Sequence, residues 1–268
     1  MTTLANTPIE AKDFLPFSDD SAARFVHREG VLLLGGGRPL LMQIAHPLVA
    51  KGVAEHSSFR FGRIHRLLRT LRPTLAVVFG TKRQAHEAIA GINRIHDGVT
   101  GAGYAASDPQ LLLWVLATLI DSSLVMYERF VRPLRPDEKQ RYYEDMKRIG
   151  GLLGIPPEVM PGDIDGLQGY VAGMCETLVV SDEAREIAAA LFAANFATWA
   201  VFPPLRALTS GLLPEPLRAQ FGLGWGAKRE AALDAFASAS RAVAPRLPAR
   251  LRAPPWFVMP GSQGIRSR

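Results

Sequence analysis

The six histidines are the side chains of this sequence best suited to chemistry near neutral pH. They occupy positions 27, 46, 56, 65, 86 and 96, so all of them lie in the first 96 residues. A neutral imidazole binds metals and exchanges a proton close to pH 7. The clustering makes a metal or haem site the first hypothesis for this chain.

His96 is the strongest candidate ligand. At about 100° per residue, a helix over 81–98 carries an apolar stripe on the same face as His96 and charged residues on the opposite face. The stripe consists of Ala85, Ile89, Ile92 and Val99. The pattern predicts that the imidazole points into the core. This helix alone is equally typical of a buried neutral histidine that only bonds a backbone carbonyl.

A second candidate group precedes this helix, in a predicted helix over 62–79. Arg66 and Thr70 share one face of it, and Arg69 lies beside them. Such a cationic, hydrogen-bonding face suits an anionic cofactor edge, for example the propionates of haem. The alternative is an arginine-rich helix face exposed to solvent.

Three polar residues interrupt the apolar helix predicted over 108–130. Thr118, Asp121 and Ser122 lie along one stripe of it. A buried carboxylate needs a partner, and an arginine of the segment 63–72 is one candidate for it. The stripe is also typical of an internal polar network that fixes helix packing.

Several familiar binding motifs are missing from the sequence. No Glu has a His three residues later, as carboxylate-bridged metal sites in helical bundles require. His86-Glu87 is followed by Ala90 where a zinc protease needs a second His. The run Gly35-Gly36-Gly37 resembles a dinucleotide-binding turn, but Leu40 stands where its third glycine is required. We interpret the triplet as a structural turn.

The elements that must position these residues are helices. Most segments between prolines have helical spacing, which predicts an all-α fold with one large domain of about ten helices over 19–259. The segments 1–18 and 260–268 lack apolar periodicity and are predicted to be flexible arms. The predicted helices span 19–29, 39–55, 62–79, 81–98, 108–130, 137–152, 164–174, 182–202, 204–213 and 227–243. Two short runs, 31–34 and 75–79, remain open to a strand assignment.

Composition bears on the partners and the cellular compartment that we expect for this protein. The net charge is +6 and the isoelectric point near 9.8, but acidic residues lie between the basic ones, so we expect no nucleic-acid partner. The single cysteine, Cys175, excludes an intrachain disulfide, and no signal peptide opens the chain, so a cytoplasmic protein is expected. The apolar run Ile187 to Phe202 is too short to cross a bilayer, so no transmembrane segment is expected.

Taken in order, the motifs resemble those of the oxygenase family that contains rubber oxygenase (latex clearing protein) and fungal mpaB-type proteins. The resemblance covers roughly residues 25–240. It rests on Gly35-Gly36-Gly37, Gln43-Ile44-Ala45-His46-Pro47, Val49-Ala50, Gly52-Val53, His56-Ser57-Ser58-Phe59, Arg66 to Thr70, Val78-Phe79-Gly80, Ile95-His96-Asp97-Gly98-Val99-Thr100-Gly101 and Asp108-Pro109 to Ser122.

The resemblance implies an all-helical protein that binds haem b, with a haem pocket buried between core helices. It implies His96 as the axial ligand of the iron, and Arg66, Arg69 and Thr70 as the matching upstream motif. The implied activity is cleavage of carbon-carbon double bonds in isoprenoid chains by dioxygen. His46 and His56 fall in family motifs and are candidates for the distal side of the haem, or else they cap and pack helices.

Two departures qualify the resemblance. Many short relatives have a histidine where this chain has Leu116, so a role that depends on that side chain is absent. We also find no match for the glutamate that acts as a base in rubber oxygenase. The leading hypothesis is a haem b-dependent oxygenase or oxidase that acts with dioxygen on an apolar small molecule. The alternatives are a non-catalytic haem or lipophilic-ligand binding protein, and a helical protein in which the histidines only pack; the oligomeric state stays open.

Overall fold

Helices form almost all of the regular structure in the computed structural model, which describes residues 17–18, 20–56, 73, 75–193, 202–248 and 252–253. The all-α prediction is therefore confirmed. The helices are α1 (Ala22–His27), α2 (Gly37–Ala45), α3 (Pro47–His56), α4 (Lys82–Gly98), α5 (Pro109–Phe130), α6 (Pro136–Leu152), α7 (Ile164–Thr177), α8 (Asp182–Phe192), α9 (Phe202–Leu212), α10 (Glu215–Gln220) and α11 (Ala227–Val243).

Short elements complete the described part of the chain. Two 3-10 helices span Gly30–Gly35 and Ala244–Arg246. A hairpin follows α4, with β1 (Thr100–Gly101) antiparallel to β2 (Tyr104–Ala105). Gly103 lies in its turn with φ of 84°, a left-handed conformation that glycine adopts at little steric cost.

The structure changes several predicted boundaries. The helix predicted over 39–55 is two helices that meet at His46, whose backbone is extended because the residue before a proline avoids helical angles. Neither of the two runs left open is a strand: 31–34 belongs to a 3-10 helix and 75–79 is helical. Most of the predicted helix 62–79 and the second half of 182–202 lie outside the described residues.

Helix α5 is the centre of the core. Its buried residues include Trp114, Tyr127 and Phe130, and it packs against α2, α6, α7 and α11. Its length and apolar composition would also allow a membrane span, although 67% of its most apolar window is buried inside the protein. The extent of that burial is what a central core helix requires.

The polar stripe of α5 is neutralised by a residue that the sequence did not indicate. Arg38 of α2 places Nη2 2.7 Å from Asp121 Oδ2, and its Nη1 donates to Ser122 Oγ at 2.7 Å. Its Nε donates to the Leu212 carbonyl at 2.8 Å. Arg38 on the adjoining helix is thus a partner of Asp121, whereas the segment 63–72, the source suggested by the sequence, lies outside the described residues. The alternative, an internal network that fixes helix packing, is the arrangement observed.

The glycine triplet allows close packing between helices. A Cβ atom on Gly35 would collide with the Met126 side chain, and one on Gly37 would collide with Thr209. These glycines bring the start of α2 against α5 and α9, which agrees with the structural interpretation of the triplet.

Candidate functional site

The site is built where α3 lies against the segment from Thr100 to Asp108. At one end, His56 Nε2 lies 3.1 Å from the Thr100 carbonyl oxygen. In the middle, Lys51 Nζ donates to the Ala102 carbonyl at 2.9 Å. The close fit of Gly52 against the Tyr104 ring fixes the hairpin on the helix. The hairpin thus ties the end of α4 to α3.

This packing places the candidate histidines relative to one another. Thr100 follows His96 by only four residues, so their Cα atoms are at most about 15 Å apart. The end of α3 that carries His56 therefore lies in the neighbourhood of His96. His46 lies just before the other end of α3, about 15 Å from His56 along the helix axis. The two distal candidates are consequently at opposite ends of α3.

His96 lies in the last turn of α4 and is partly buried. Burial lowers the pKa of its imidazole below the usual value, and the nearby Asp97 carboxylate opposes that shift. Its Nδ1 atom is buried and has no hydrogen-bond partner among the described residues. On the same face, Ala85 and Ile89 are buried, as the sequence predicts. His96 is therefore a neutral imidazole with one ring nitrogen that no described residue satisfies.

Helix α4 has a well-defined start and a fixed end. The Thr81 hydroxyl oxygen accepts a hydrogen bond from the Gln84 amide, and the Thr81 amide donates one to Gln84 Oε1. Near the other end, Asn93 Nδ2 donates to the Leu152 carbonyl at 3.0 Å. These contacts hold the helix that presents His96.

His46 is partly buried at the junction of α2 and α3. Burial lowers the pKa of its imidazole, with the Asp108 carboxylate acting in the opposite direction. Its Nδ1 is buried and has no partner in the described part of the chain. Trp114 Nε1 donates to the Met42 carbonyl at 3.1 Å and so anchors this junction to α5. Like His96, His46 therefore has a lowered pKa and a ring nitrogen without a described partner, but it lies at a different place in the fold.

His56 is exposed, and its ring meets Tyr104 edge to face with centroids 6.4 Å apart. With its bond to Thr100, this contact gives His56 a packing role at the hairpin. His86 lies on α4 with a buried Nε2 that lacks a described partner. His27 is the last residue of α1, and its Nε2 is 3.0 Å from the hydroxyl oxygen of Tyr142 on α6.

The remaining sequence candidates cannot be placed. Arg66, Arg69 and Thr70, together with His65, lie outside the described residues. Their role in cofactor binding stays a prediction. Leu116 is buried against α6 close to Gly150.

One polar pair at the site was missed by sequence reasoning. The Tyr104 hydroxyl donates to Glu55 Oε2 at 2.5 Å, and this bond is the largest of the effects that raise the pKa of Tyr104 to about 12. Glu55 directly precedes His56 in α3. The Gly101-Ala102-Gly103 run was the available signal for a hairpin here, although nothing in it indicated Glu55 as the partner.

The described residues contain no group of three or more His, Cys, Asp or Glu side chains suited to hold a metal ion. Two cavities, of about 230 and 390 Å³, flank the start of α6 around Leu134, and no histidine lines either of them. Within the part of the chain that the structure describes, the arrangement at His96 offers a single neutral nitrogen ligand. That donor set fits an axial ligand better than a multidentate metal cage.

Comparison with known proteins identifies the family of this chain. Residues 23–242 match the family model described as the catalytic domain of ER-bound oxygenase mpaB/B' and rubber oxygenase. Two uncharacterized proteins, from Mycobacterium bovis and Mycobacterium tuberculosis, are each 28% identical over 204 residues, which is 69% of this chain and 78% of theirs. No solved structure matches the chain significantly. Because the family match spans most of its length, this chain belongs to the family of mpaB and rubber oxygenase catalytic domains.

Proposed function

We propose that this protein is a haem b-dependent oxygenase or oxidase that uses dioxygen on an apolar small molecule, an isoprenoid or another lipophilic compound. Membership in an oxygenase family gives the general class of reaction. The observation that carries the haem assignment is His96, a neutral and partly buried imidazole whose Nδ1 has no described partner.

His96 fits an axial ligand of haem for two physical reasons. A neutral imidazole has a lone pair available for iron, and burial keeps the ring neutral at pH 7 by lowering its pKa. A buried ring nitrogen without a partner is unfavourable, so a ligand bound through Nδ1 would offset its cost. Ala85 and Ile89 keep the same face of α4 apolar, at about 16 and 10 Å from His96 along the helix axis.

Other residues would hold the edge of the cofactor. Arg66 and Arg69 are suited to pair with propionates, and Thr70 to hydrogen-bond beside them. When bound, haem would supply the iron at which dioxygen is activated. His46 and His56 remain candidates for the distal side. Their separation along α3 predicts that no more than one of them contacts the reacting dioxygen.

The test is the absorption spectrum of protein produced with ample haem. We expect a Soret band in the wild type and its loss or shift in His96→Ala. His86→Ala is the matched control, because His86 lies on the same helix and also has a buried ring nitrogen without a described partner. It should leave the band unchanged. Far-UV circular dichroism of both variants checks that α4 still forms.

A rescue experiment separates ligand loss from misfolding. In His96→Gly, added imidazole should restore the band if His96 is the iron ligand. A wild type without a Soret band would refute the haem proposal, and an unchanged spectrum in His96→Ala would place the ligand elsewhere. Steady oxygen consumption with an alkene substrate would establish the enzyme. A haem spectrum without turnover would instead favour the non-catalytic binding protein.

A further inference from the structure

The outward side of α11 is an apolar surface that no described element covers. Its inward side packs Leu233 and Ala237 against the core, and Ser240 Oγ donates to the Phe130 carbonyl at 2.7 Å. The exposed residues of the outward side are apolar except for Ser238, and Phe236 at its border also packs against the Phe130 ring, with centroids 5.3 Å apart. The apolar ones are Ala231, Ala232, Ala235, Phe236, Ala239, Ala242 and Val243.

The large side chains of this face make it unusual for a helix in water. Phe236 is 45% exposed and Val243 is 51% exposed, and Leu247, just beyond the helix, is 38% exposed. A solvent-facing helix surface normally carries charged and polar residues. Contiguous exposed apolar surface of this kind marks an interaction site.

Cations lie at both ends of the face, while the two carboxylates of α11, which are 43% and 63% exposed, are held in ion pairs. Both acidic residues of α11, Glu230 and Asp234, lie toward α5 and pair with Arg129, at 2.8 and 2.7 Å. The outward face itself has no carboxylate. Lys228 and Arg229 lie at its amino-terminal end, and Arg246 follows its carboxyl-terminal end. The face is therefore an apolar strip about 25 Å long with cations at both ends.

The cations remain available to an anionic partner. The Arg229 guanidinium donates to the Gly224 carbonyl, and that of Arg246 donates to the Ala242 carbonyl. Bonds to neutral carbonyls orient these groups but leave their charge uncompensated. An anionic surface would neutralise the charges of these guanidinium groups without displacing an existing ion pair.

The same charges argue against a second copy of this chain as the partner. In an antiparallel pair of α11 helices, Lys228 and Arg229 would meet Arg246 of the other copy. In a parallel pair each cation would meet its own equivalent. Either arrangement places like charges together, which opposes association.

We propose that the outward face of α11 docks on an anionic membrane surface. Phe236, Val243 and Leu247 enter the boundary between headgroups and acyl chains, and Lys228, Arg229 and Arg246 contact lipid phosphates. An apolar helix face bordered by cations is the pattern of helices that lie in the membrane interface. This docking goes beyond the proposed oxygenase function, and it would bring the protein to the phase in which lipophilic molecules concentrate.

The test is sedimentation of the full chain with vesicles of phosphatidylglycerol and phosphatidylcholine in equal parts, compared with phosphatidylcholine alone. We expect binding to the anionic vesicles that weakens as salt is added. The double variant Ala235→Glu, Ala239→Glu puts two carboxylates in the middle of the face. It should lower the apparent affinity at least about tenfold, because each charge would oppose the anionic surface.

A matched control adds the same charge elsewhere. Gln168→Glu with Ala172→Glu has the same spacing on α7 and should bind vesicles like the wild type. Equal binding by the α11 variant and the wild type would overturn the proposal, as would binding that does not depend on lipid charge. A dimer in sedimentation velocity that is lost in the α11 variant would identify a subunit interface instead.

Face-dependent binding to polyglutamate, without binding to vesicles, would identify an acidic protein partner and overturn membrane docking. The Soret band of the α11 variant should equal that of the wild type. Failure of the haem assignment and failure of membrane docking are therefore distinguishable.

Discussion

The ion pair between Arg38 and Asp121 allows a sharp test of how the core is held together. The two side chains are only 5% and 13% exposed, and Arg38 also bonds Ser122 and the Leu212 carbonyl. Arg38→Met keeps most of the aliphatic volume but leaves the Asp121 carboxylate without its cation. Breaking a buried pair in this way costs about 3 to 5 kcal/mol.

That loss is large relative to the total stability of a domain, which is on the order of 5 to 15 kcal/mol. We expect the midpoint of thermal unfolding to fall by roughly 10 °C. Urea unfolding followed by far-UV circular dichroism gives the free energy. Arg83→Met is the control, because Arg83 and Glu87 form an exposed pair, 79% and 60% exposed, and its loss should cost less than about 0.5 kcal/mol.

A double-mutant cycle completes the test. Asp121→Asn removes the charge with little change of shape, so Arg38→Met with Asp121→Asn leaves no buried ion. The double variant should be less destabilised than the sum of its single changes. Strictly additive losses, or a loss below about 1 kcal/mol for Arg38→Met, would refute the view that this pair is the electrostatic link between α2 and α5.

Three further predictions concern other parts of the molecule. Burial lowers the pKa of His27 to about 4. As the pH falls below 6.5, the unfolded chain therefore binds a proton at this histidine before the folded protein does. The free energy of unfolding should then decrease between pH 6.5 and pH 4 by up to about 3 kcal/mol. In urea titrations His27→Gln should flatten that decline; an unchanged slope would assign it to other groups. Gly37→Ala should cost about 1 to 3 kcal/mol in urea unfolding because its Cβ meets Thr209, whereas Gly169→Ala, in open space on α7, should be neutral or stabilising. The opposite order would contradict the packing described for the triplet. Cys175 is 3% exposed, and burial raises its pKa to about 11. A thiol reagent should therefore modify it only after denaturation. Rapid reaction of the native protein would show that α7 opens locally.

Local patterns were sufficient for the helices whose ends carry strong signals. The extent of α5 follows from Asp108 and Pro109 at its start and from the apolar residues that continue to Phe130. The sequence also indicated the face of α4 that carries His96, because the periodicity of Ala85 and Ile89 is local information. It failed at His46, where the effect of Pro47 on the preceding residue divides one predicted helix into two.

By itself, the sequence determined the helical fold and the family resemblance, since each depends on spacing within short segments or on motif order. It also singled out His96 as the ligand that we propose. Only the tertiary structure decided that Arg38 pairs with Asp121, that Glu55 accepts a bond from Tyr104, and that His46 and His56 lie at opposite ends of α3. These relations join residues that are distant in sequence, and helix packing selects them. A one-dimensional pattern carries the direction of a side chain around its own helix, but not the identity of the neighbour that it meets.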